Sequence, residues 1–485
     1  MKFVKTHLGK ILLLIAFAAF CAGCNFAPHY EPPAVETPTG FKENSTTNNA
    51  GTNIWQVAQP NDSIIRSNWW VTFNDTNLDA LEDQIAISNQ NVIAAFDDYL
   101  VAHEQVREAQ SQYLPTANLV PSVTRSHIYS GGFQLSSSRD ITTYDIPLDG
   151  SWQPDFWGRV RNTVRSAAAT AQASAADLEN TKLTAQSELA SDYFQLRGQD
   201  DLIRLYDDTI GAYSNSVQLT TVLFKTGIDS DEDVAQAETQ LRTTEAQATN
   251  LRILRAQLEH AIAVLIGRPP ESFSIPSTLL VATNPPGIPL SIPSQLLERR
   301  PDIASAERAV ASANAEIGVA RAAFFPNITL SASGGLEAPN TATLFNWSSG
   351  VWSIGASATQ PIFNAALYPA VKQYRAAYDA TVAQYRQTVL SAFQSVEDNL
   401  SALRILQKEI KQQDAAADAS LKYLNLATYR YKLGIDSYLN VVIAQTSYLN
   451  NRQTLTTLYT QQMTDAVTLI QDLGGGWDTS QLPKD

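Results

Sequence analysis

Side chains that could carry out chemistry are few in this chain of 485 residues, and they are scattered. Both cysteines, Cys21 and Cys24, lie at the N-terminus, which leaves the rest of the chain without a disulfide framework or a cysteine-based metal site. The sequence contains no GxSxG, HExxH or Walker-loop motif. The five histidines lie far apart: His7, His29, His103, His127 and His260. We therefore expect no enzymatic activity, no metal site and no bound cofactor.

The charge balance excludes one class of partner. The chain has 34 Lys+Arg against 48 Asp+Glu, a formal net charge of −14. A nucleic-acid-binding protein needs a basic face, so nucleic acid is not expected as a partner. An acidic chain is still compatible with a membrane.

The N-terminus has the pattern of an export signal. MKFVKTHLGK is basic, ILLLIAFAAF is apolar but too short to span a bilayer, and small residues follow. Ala22-Gly23-Cys24 resembles the lipobox of bacterial lipoproteins, in which the cysteine is lipidated and becomes the new N-terminus, although Cys21 stands where that motif usually has Leu. We expect a signal peptide over 1–23, covalent lipid on Cys24 and a tether over 24–62. An ordinary signal cleaved after an Ala-x-Ala site is the alternative.

The sequence repeats itself once. Residues 224–239 align with 431–446, and 153–156 align with 360–363, both at an offset of 207. Residues 113–122 align with 324–333 at an offset of 211. These alignments predict a duplicated unit of roughly 200 residues.

Each copy contains a long helical pattern. Proline is absent from 155–268 and from 370–482, and apolar residues recur every seven positions. The seven-residue series are Leu189, Leu196, Ile203, Ile210, Val217 and Phe224, and then Val396, Leu403, Ile410, Ala417, Leu424 and Tyr431. We predict coiled-coil hairpins of roughly 100 Å that turn at Gly227 and Gly434. A globular bundle of shorter helices is the alternative.

Before each helical pattern the apolar period changes to two. Segments 143–152, 327–333 and 351–359 alternate apolar and polar residues, and 116–129 does so more weakly. This alternation suits strands of a membrane barrel, although a soluble sheet with one buried face has the same local pattern. Four strands cannot close a barrel, and open edges in lipid are costly, so several chains would have to share one barrel. Three copies would give twelve strands.

Several motifs together resemble the TolC/OprM family of outer-membrane efflux proteins, in particular its lipoprotein branch. They are GCNFAPHYEPP (23–33), SNWWVTFND (67–75), DFWGRVR (155–161), LLERRPDIASAE (296–307), ARAAFFPNITL (320–330), QPIFN (360–364) and LGGGW (473–477). The resemblance covers nearly the whole chain from Cys24 onward.

The resemblance implies a mixed α and β membrane protein in the outer membrane of a Gram-negative bacterium. Three copies would form a 12-stranded β-barrel, with four strands from each chain, continued by a periplasmic α-helical barrel and a mixed equatorial domain. It implies the exit duct of a tripartite efflux system, passively conducting drugs or small toxic compounds delivered by a periplasmic adaptor and an inner-membrane transporter of RND or ABC type. The implied units are repeat 1 at 63–268 (β-hairpin about 114–154, helical hairpin about 157–267), a connector at 269–300, repeat 2 at 301–473 (β-hairpin about 326–362, helical hairpin about 364–473) and a tail at 474–485.

The resemblance also implies a gate at the periplasmic tip, closed by polar links between hairpins in the manner of an iris. Asp233 and Tyr431 match positions of such links, although Tyr431 also falls on the heptad series and packing alone would explain it. The chain has Asp436 where some members have a basic residue. It has Asn440 and Ile443 where others have acidic rings, so a ring of Ile443 would form an apolar constriction.

Two other functions remain open from the sequence. One is the exit duct of a type I protein secretion system, which shares the architecture. The other is a structural coiled-coil lipoprotein that tethers envelope layers. The tether would explain Cys24 and the heptads, but not the alternating strands in equivalent places of both copies.

Overall fold

The computed structural model describes residues 25–38, 40–43, 55–57, 68–130, 137–279, 285–290, 299–477 and 482. Cys24, the expected signal peptide and parts of the expected tether lie outside these ranges. In the part of the chain that is described, no helix combines the length and the apolar character needed to cross a membrane.

Two helical hairpins dominate the fold. A helix of 67 residues is followed by one of 35, and a helix of 66 residues is again followed by one of 35. At 1.5 Å per residue each long helix extends over about 100 Å. The helices are α1 (Thr76–Ser88), α2 (Gln90–Ser111), α3 (Arg159–Lys225), α4 (Asp231–Leu265), α5 (Pro301–Ala322), α6 (Leu367–Lys432) and α7 (Tyr438–Asp472).

Local side chains set where these helices start. Asp155 caps the first turn of α3, because its carboxylate accepts hydrogen bonds from the Val160 N–H at 3.1 Å and the Arg161 N–H at 2.8 Å. Asn89 separates α1 from α2 and caps α2 through the Asn91 and Val92 N–H groups. Its amide also donates to the Leu265 carbonyl at 2.7 Å, which fixes α1 and α2 against the end of α4.

The first heptad series is buried at its start and exposed at its end, whereas the second series stays mostly buried as far as its last member, Tyr431. Leu189 and Leu196 are fully buried, whereas Phe224, the last member of the first series, is 42% exposed. The predicted stripe is therefore only partly a core of the single chain.

The main core lies where the N-terminal segment crosses the hairpins. A short 3₁₀ helix, Trp69–Phe73, packs its aromatic rings against α3, and Phe73 lies 4.9 Å from Phe194 between ring centroids. Ion pairs fix the neighbouring connector: Asp200 is buried and binds Arg255 at 2.7 Å, and Arg255 donates to the Ile275 carbonyl at 2.8 Å. Strand β1 (Trp55–Val57) pairs in parallel with β5 (Ile288–Leu290).

The remaining strands form one antiparallel sheet. Its strands are β2 (Thr116–Leu119), β3 (Ser122–Ser130), β4 (Ser137–Trp152), β6 (Asn327–Ala338) and β7 (Gly350–Thr359). The sequence predicted one strand over 116–129, and the structure divides it at Val120 and Pro121; both pieces pair with β4. Gly335 lies opposite Pro147, where an added Cβ would come within 2.7 Å of the Pro147 Cα.

The residues of this sheet are mostly exposed or half-buried in the part of the chain that the structure describes. Its register places Leu148, Gly334 and Trp352 in one row on one face, whereas Asp149, Ser333 and Ser353 share the opposite face. Strand β7 is exposed along its whole length. Among the described residues, no further strand lies beside β7 or beside β2 and β3. The sheet therefore has an apolar face, a polar face and two unpaired edges.

Candidate gate at the helical tip

The two turns at the tip share one backbone conformation. Gly227 has φ +78° and Gly434 has φ +68°, and no atom lies within 4 Å of an added Cβ at either position. The Ile228 N–H donates to the Leu223 carbonyl at 2.9 Å, and the Ile435 N–H donates to the Arg430 carbonyl at 3.0 Å. These are Schellman-type helix ends, so glycine is favoured for its left-handed backbone rather than for lack of space.

Asp233 caps its own helix. Its backbone N–H donates to Ser230 Oγ at 3.2 Å, and its carboxylate accepts from the Ser230 N–H at 3.2 Å, which together form a capping box at the start of α4. The sequence placed Asp233 among the residues that link hairpins. Within this chain it makes a local bond instead, because a carboxylate three residues into a helix reaches the free N–H groups of its own first turn.

Tyr431 forms the link between hairpins. Its side chain is 5% exposed, and its ring packs against Tyr438 with 5.3 Å between centroids. Its hydroxyl donates to the carboxylate of Asp229, in the turn of the first hairpin. Burial raises the pKa of Tyr431, and the Asp229 carboxylate raises it further. Packing and hydrogen bonding, which the sequence left as alternatives, therefore occur together in Tyr431.

Sequence analysis missed Asp229 as the acceptor. The signal was present, because residues 224–239 align with 431–446 and Tyr431 aligns with Phe224. The second copy therefore has a hydroxyl that the first lacks, and Asp229 is the carboxylate of the first G-I-D turn.

Asp436 and Asn440 are brought together at the start of α7. The Asn440 amide and the Ser437 N–H both donate to the Asp436 carboxylate, and Arg430 Nε donates to it at 3.1 Å. The hydrogen bond from Asn440, together with Ser437 and Arg430, lowers the pKa of Asp436 below its ordinary value. Asp436 is therefore an ionised group that joins the end of α6 to the start of α7.

Ile443 has no polar role and lies one turn beyond Asn440. Its side chain is 49% exposed, and Leu439 and Ile435 are also exposed at spacings of four residues. Residues four apart lie on one face of a helix, so Leu439 and Ile443 form an exposed apolar strip on α7.

Further polar contacts tie the two hairpins together above the tip. Gln445 donates to Ser216 Oγ at 3.1 Å, and Gln240 donates to Thr446 Oγ1 at 3.2 Å. Each joins α7 to the first hairpin across more than 200 positions of sequence. Near the tip, the two hairpins of one chain are thus joined by an aromatic cluster and several polar links.

The fold and the tip define a class of protein in which an open-edged sheet continues into long helical hairpins. The family model described as outer membrane efflux protein matches residues 78–268 and 292–475. The chain belongs to this family.

Individual relatives agree. The chain is 30% identical over 476 residues to the probable efflux pump outer membrane protein TtgC of Pseudomonas putida, covering 96% of each chain. It is 28% identical over 477 residues to the cation efflux system protein CusC of Escherichia coli, covering 96% of this chain and 98% of CusC. Among solved structures, the outer-membrane channel OprN superposes with a TM-score of 0.86 at 25% identity, covering 94% of this chain and 100% of OprN.

Proposed function

We propose that this chain is one subunit of the outer-membrane exit duct of a tripartite efflux system. The duct conducts drugs or other small toxic compounds passively, and an inner-membrane transporter supplies the energy. The membership in the outer membrane efflux protein family and the similarity to TtgC and CusC, both named for efflux, support this function over a secretion duct or a structural tether.

The sheet with two unpaired edges is the observation that carries the proposal. Its apolar face is uncovered, and bare strand edges in a bilayer would leave several kcal/mol of unmet hydrogen bonding for each exposed backbone group. Closure with further copies satisfies both edges, and three copies of four strand positions give a twelve-stranded barrel. The polar row of Asp149, Ser333 and Ser353 then lines a wet lumen.

The helical hairpins continue this duct into the periplasm, and their tip is its gate. The link from Tyr431 to Asp229 holds the two hairpins of a subunit together, and its loss would let them separate. Ile443 forms an apolar constriction, which impedes water and ions without any charged ring. The periplasmic adaptor and the inner-membrane transporter, of RND or ABC type, engage this end.

Lipid on Cys24 anchors each subunit to the outer membrane. The first described residues support this placement: the Asn314 amide donates to the Pro28 carbonyl at 3.0 Å, and Arg321 donates to the Phe26 carbonyl at 3.0 Å. Both donors lie on α5, whose end leads into β6. The N-terminal segment is therefore fixed next to the base of the sheet, where a lipid anchor would reach the bilayer.

Recording from planar bilayers tests the function. The purified full-length protein should produce discrete conductance steps, and a strain that lacks it should become more sensitive to toxic compounds. A tethering lipoprotein would give no conductance at any concentration, and that result would refute the duct.

A further inference from the structure

Large apolar side chains are exposed at the base of both free edges of the sheet. Ile362 and Phe363 lie shortly after the end of β7, and each is 91% exposed. At the opposite edge, Tyr113 and Leu114 lie just before β2, separated from it by Pro115, and are also exposed. Adjacent apolar residues exposed to this extent mark a surface that a partner covers.

The internal repeat indicates what covers them. Residues 360–363 correspond to 153–156, and 113–115 correspond to 324–326. Within one chain, 153–156 after the end of β4 lie next to 324–326 before the start of β6, because β4 pairs with β6. There the indole of Trp157 donates to the Pro326 carbonyl at 2.7 Å and stacks on Phe325 at 5.1 Å.

The burial of the two junctions differs accordingly. Residues 154–157 are half-buried, because the second copy lies against them, whereas 362–366 are exposed. Phe325, which covers the first junction, aligns with Leu114. The counterpart missing from the second junction is therefore the segment around Leu114, and within the chain this segment lies at the far edge of the sheet.

Barrel geometry brings these segments together between copies. Thr116, Ser151, Ser331 and Gly355 lie in one cross-strand row. Four strands about 4.8 Å apart and tilted by about 35–45° shift the register by roughly 13–19 Å, or about 4–6 residues, from one subunit to the next. Thr116 of the partner subunit then lies opposite about 359–361, and Leu114 of the partner subunit opposite about 361–363.

The direction of this shift follows from one hydrogen bond. The Val120 N–H donates to the Pro147 carbonyl at 3.2 Å, so the odd residues of β4 point their backbone groups toward β2. Seen from the apolar face with the hairpin loops uppermost, the strands therefore run β7, β6, β4 and β3 from left to right. Closed barrels have a right-handed strand tilt, so this cross-strand row rises from Thr116 on β2 to Gly355 on β7. Because β7 runs away from the hairpin loops, the residue of β7 at the height of Thr116 has a higher number than Gly355.

We propose that Ile362 and Phe363 of each subunit pack against Tyr113 and Leu114 of the partner subunit, forming an apolar contact at the junction of sheet and helices. This contact rests on the proposed assembly of several copies into one duct. It covers the exposed apolar surface at the two edges and fixes the register in which the strands of neighbouring copies meet. The partner is a second copy of this chain.

A pair of cysteines tests the contact. The full-length variant L114C/F363C, oxidised in isolated outer membranes and denatured without reductant, should give covalent dimers and trimers that disappear with reductant. Neither L114C nor F363C alone should do so. The matched control is L114C/W347C, because Trp347 is also exposed but lies at the other end of β7, before its first residue.

Three outcomes decide the matter. Covalent oligomers that form from L114C/F363C, but not from either single variant or from L114C/W347C, support the contact. Another outcome is that native mass spectrometry detects oligomers of L114C/F363C that neither oxidation nor a short bismaleimide cross-links. This result would overturn the contact but not the proposed duct, and lipid would then cover Phe363. A monomeric protein would overturn both.

Discussion

The hydroxyl of Tyr431 offers the sharpest test of the gate. The change Tyr431→Phe removes the donor to Asp229 but keeps the ring, which packs against Tyr438. The aromatic cluster at the tip should therefore persist while the link between hairpins is lost. We expect a duct that opens more readily in the absence of any adaptor.

The size of the effect follows from the environment of the bond. A hydrogen bond to a charged group contributes about 1.5–3 kcal/mol. Asp229 is only half-buried and is rehydrated when it loses its partner, which places the loss at the lower end, about 1.5 kcal/mol per subunit. A change of 1.4 kcal/mol is tenfold in an equilibrium constant, so independent hairpins would open about tenfold more often. Three hairpins that open together would shift by on the order of a thousandfold.

Single-channel recording measures this shift as open probability. Tyr429→Phe is the matched control, since Tyr429 lies on the same helix and is 62% exposed, and its removal of a hydroxyl should change nothing. Combining Tyr431→Phe with Asp229→Ala should add little to either change alone, because both remove the same bond. An open probability of Tyr431→Phe equal to that of the unmodified protein would refute the role of this bond in the gate.

Three further predictions address the constriction, the turns and a half-buried carboxyl. Ile443→Asp should raise the preference for cations in bilayer recordings, and Ile405→Asp, exposed farther up α6, should not; equal selectivity would remove Ile443 from the narrow part of the duct. Gly434→Ala should lower the free energy of unfolding by about 1 kcal/mol because of its positive φ, whereas Gly211→Ala inside α3 should raise it by about the same amount, as thermal melts can check. Burial, with repulsion from Glu188, raises the pKa of Asp192 to about 6. The folded chain then holds this proton more tightly than the unfolded chain, so stability falls as pH rises from about 4 to 6. Asp192→Asn should stabilise the protein by about 1–2 kcal/mol at pH 7.5 and not at pH 4, and equal melting shifts at both pH values would contradict this.

The long helices and the positions of the strands were predictable from the sequence because they depend on local rules. The absence of proline and the period of seven gave both hairpins, and α3 and α6 lie where these patterns do. The turns at Gly227 and Gly434 were predictable for the same reason, since a left-handed backbone favours glycine. The alternation of apolar and polar residues similarly indicated the strands that became β4, β6 and β7.

The partners of individual side chains were less predictable. The sequence identified Tyr431 and paired it with Asp233 as a link position, whereas the hydroxyl of Tyr431 donates to Asp229 in the turn of the first hairpin. Asp233 has a local use as a cap, and local and long-range bonds compete for the same carboxylate. The break at Pro121 was also missed, because a proline can occupy an edge strand as well as end a strand.

The bare edges of the sheet also bear on the order in which the molecule matures. Within one chain α3 packs against α4 and α6 packs against α7, so each helical hairpin can form before the copy meets another. The strands gain little from forming at that stage, since a small sheet without a covered face is barely stable in water and its edges invite aggregation. In the proposed duct, barrel closure and insertion into lipid would therefore belong to a single late event, whose rate depends on how many copies are present together.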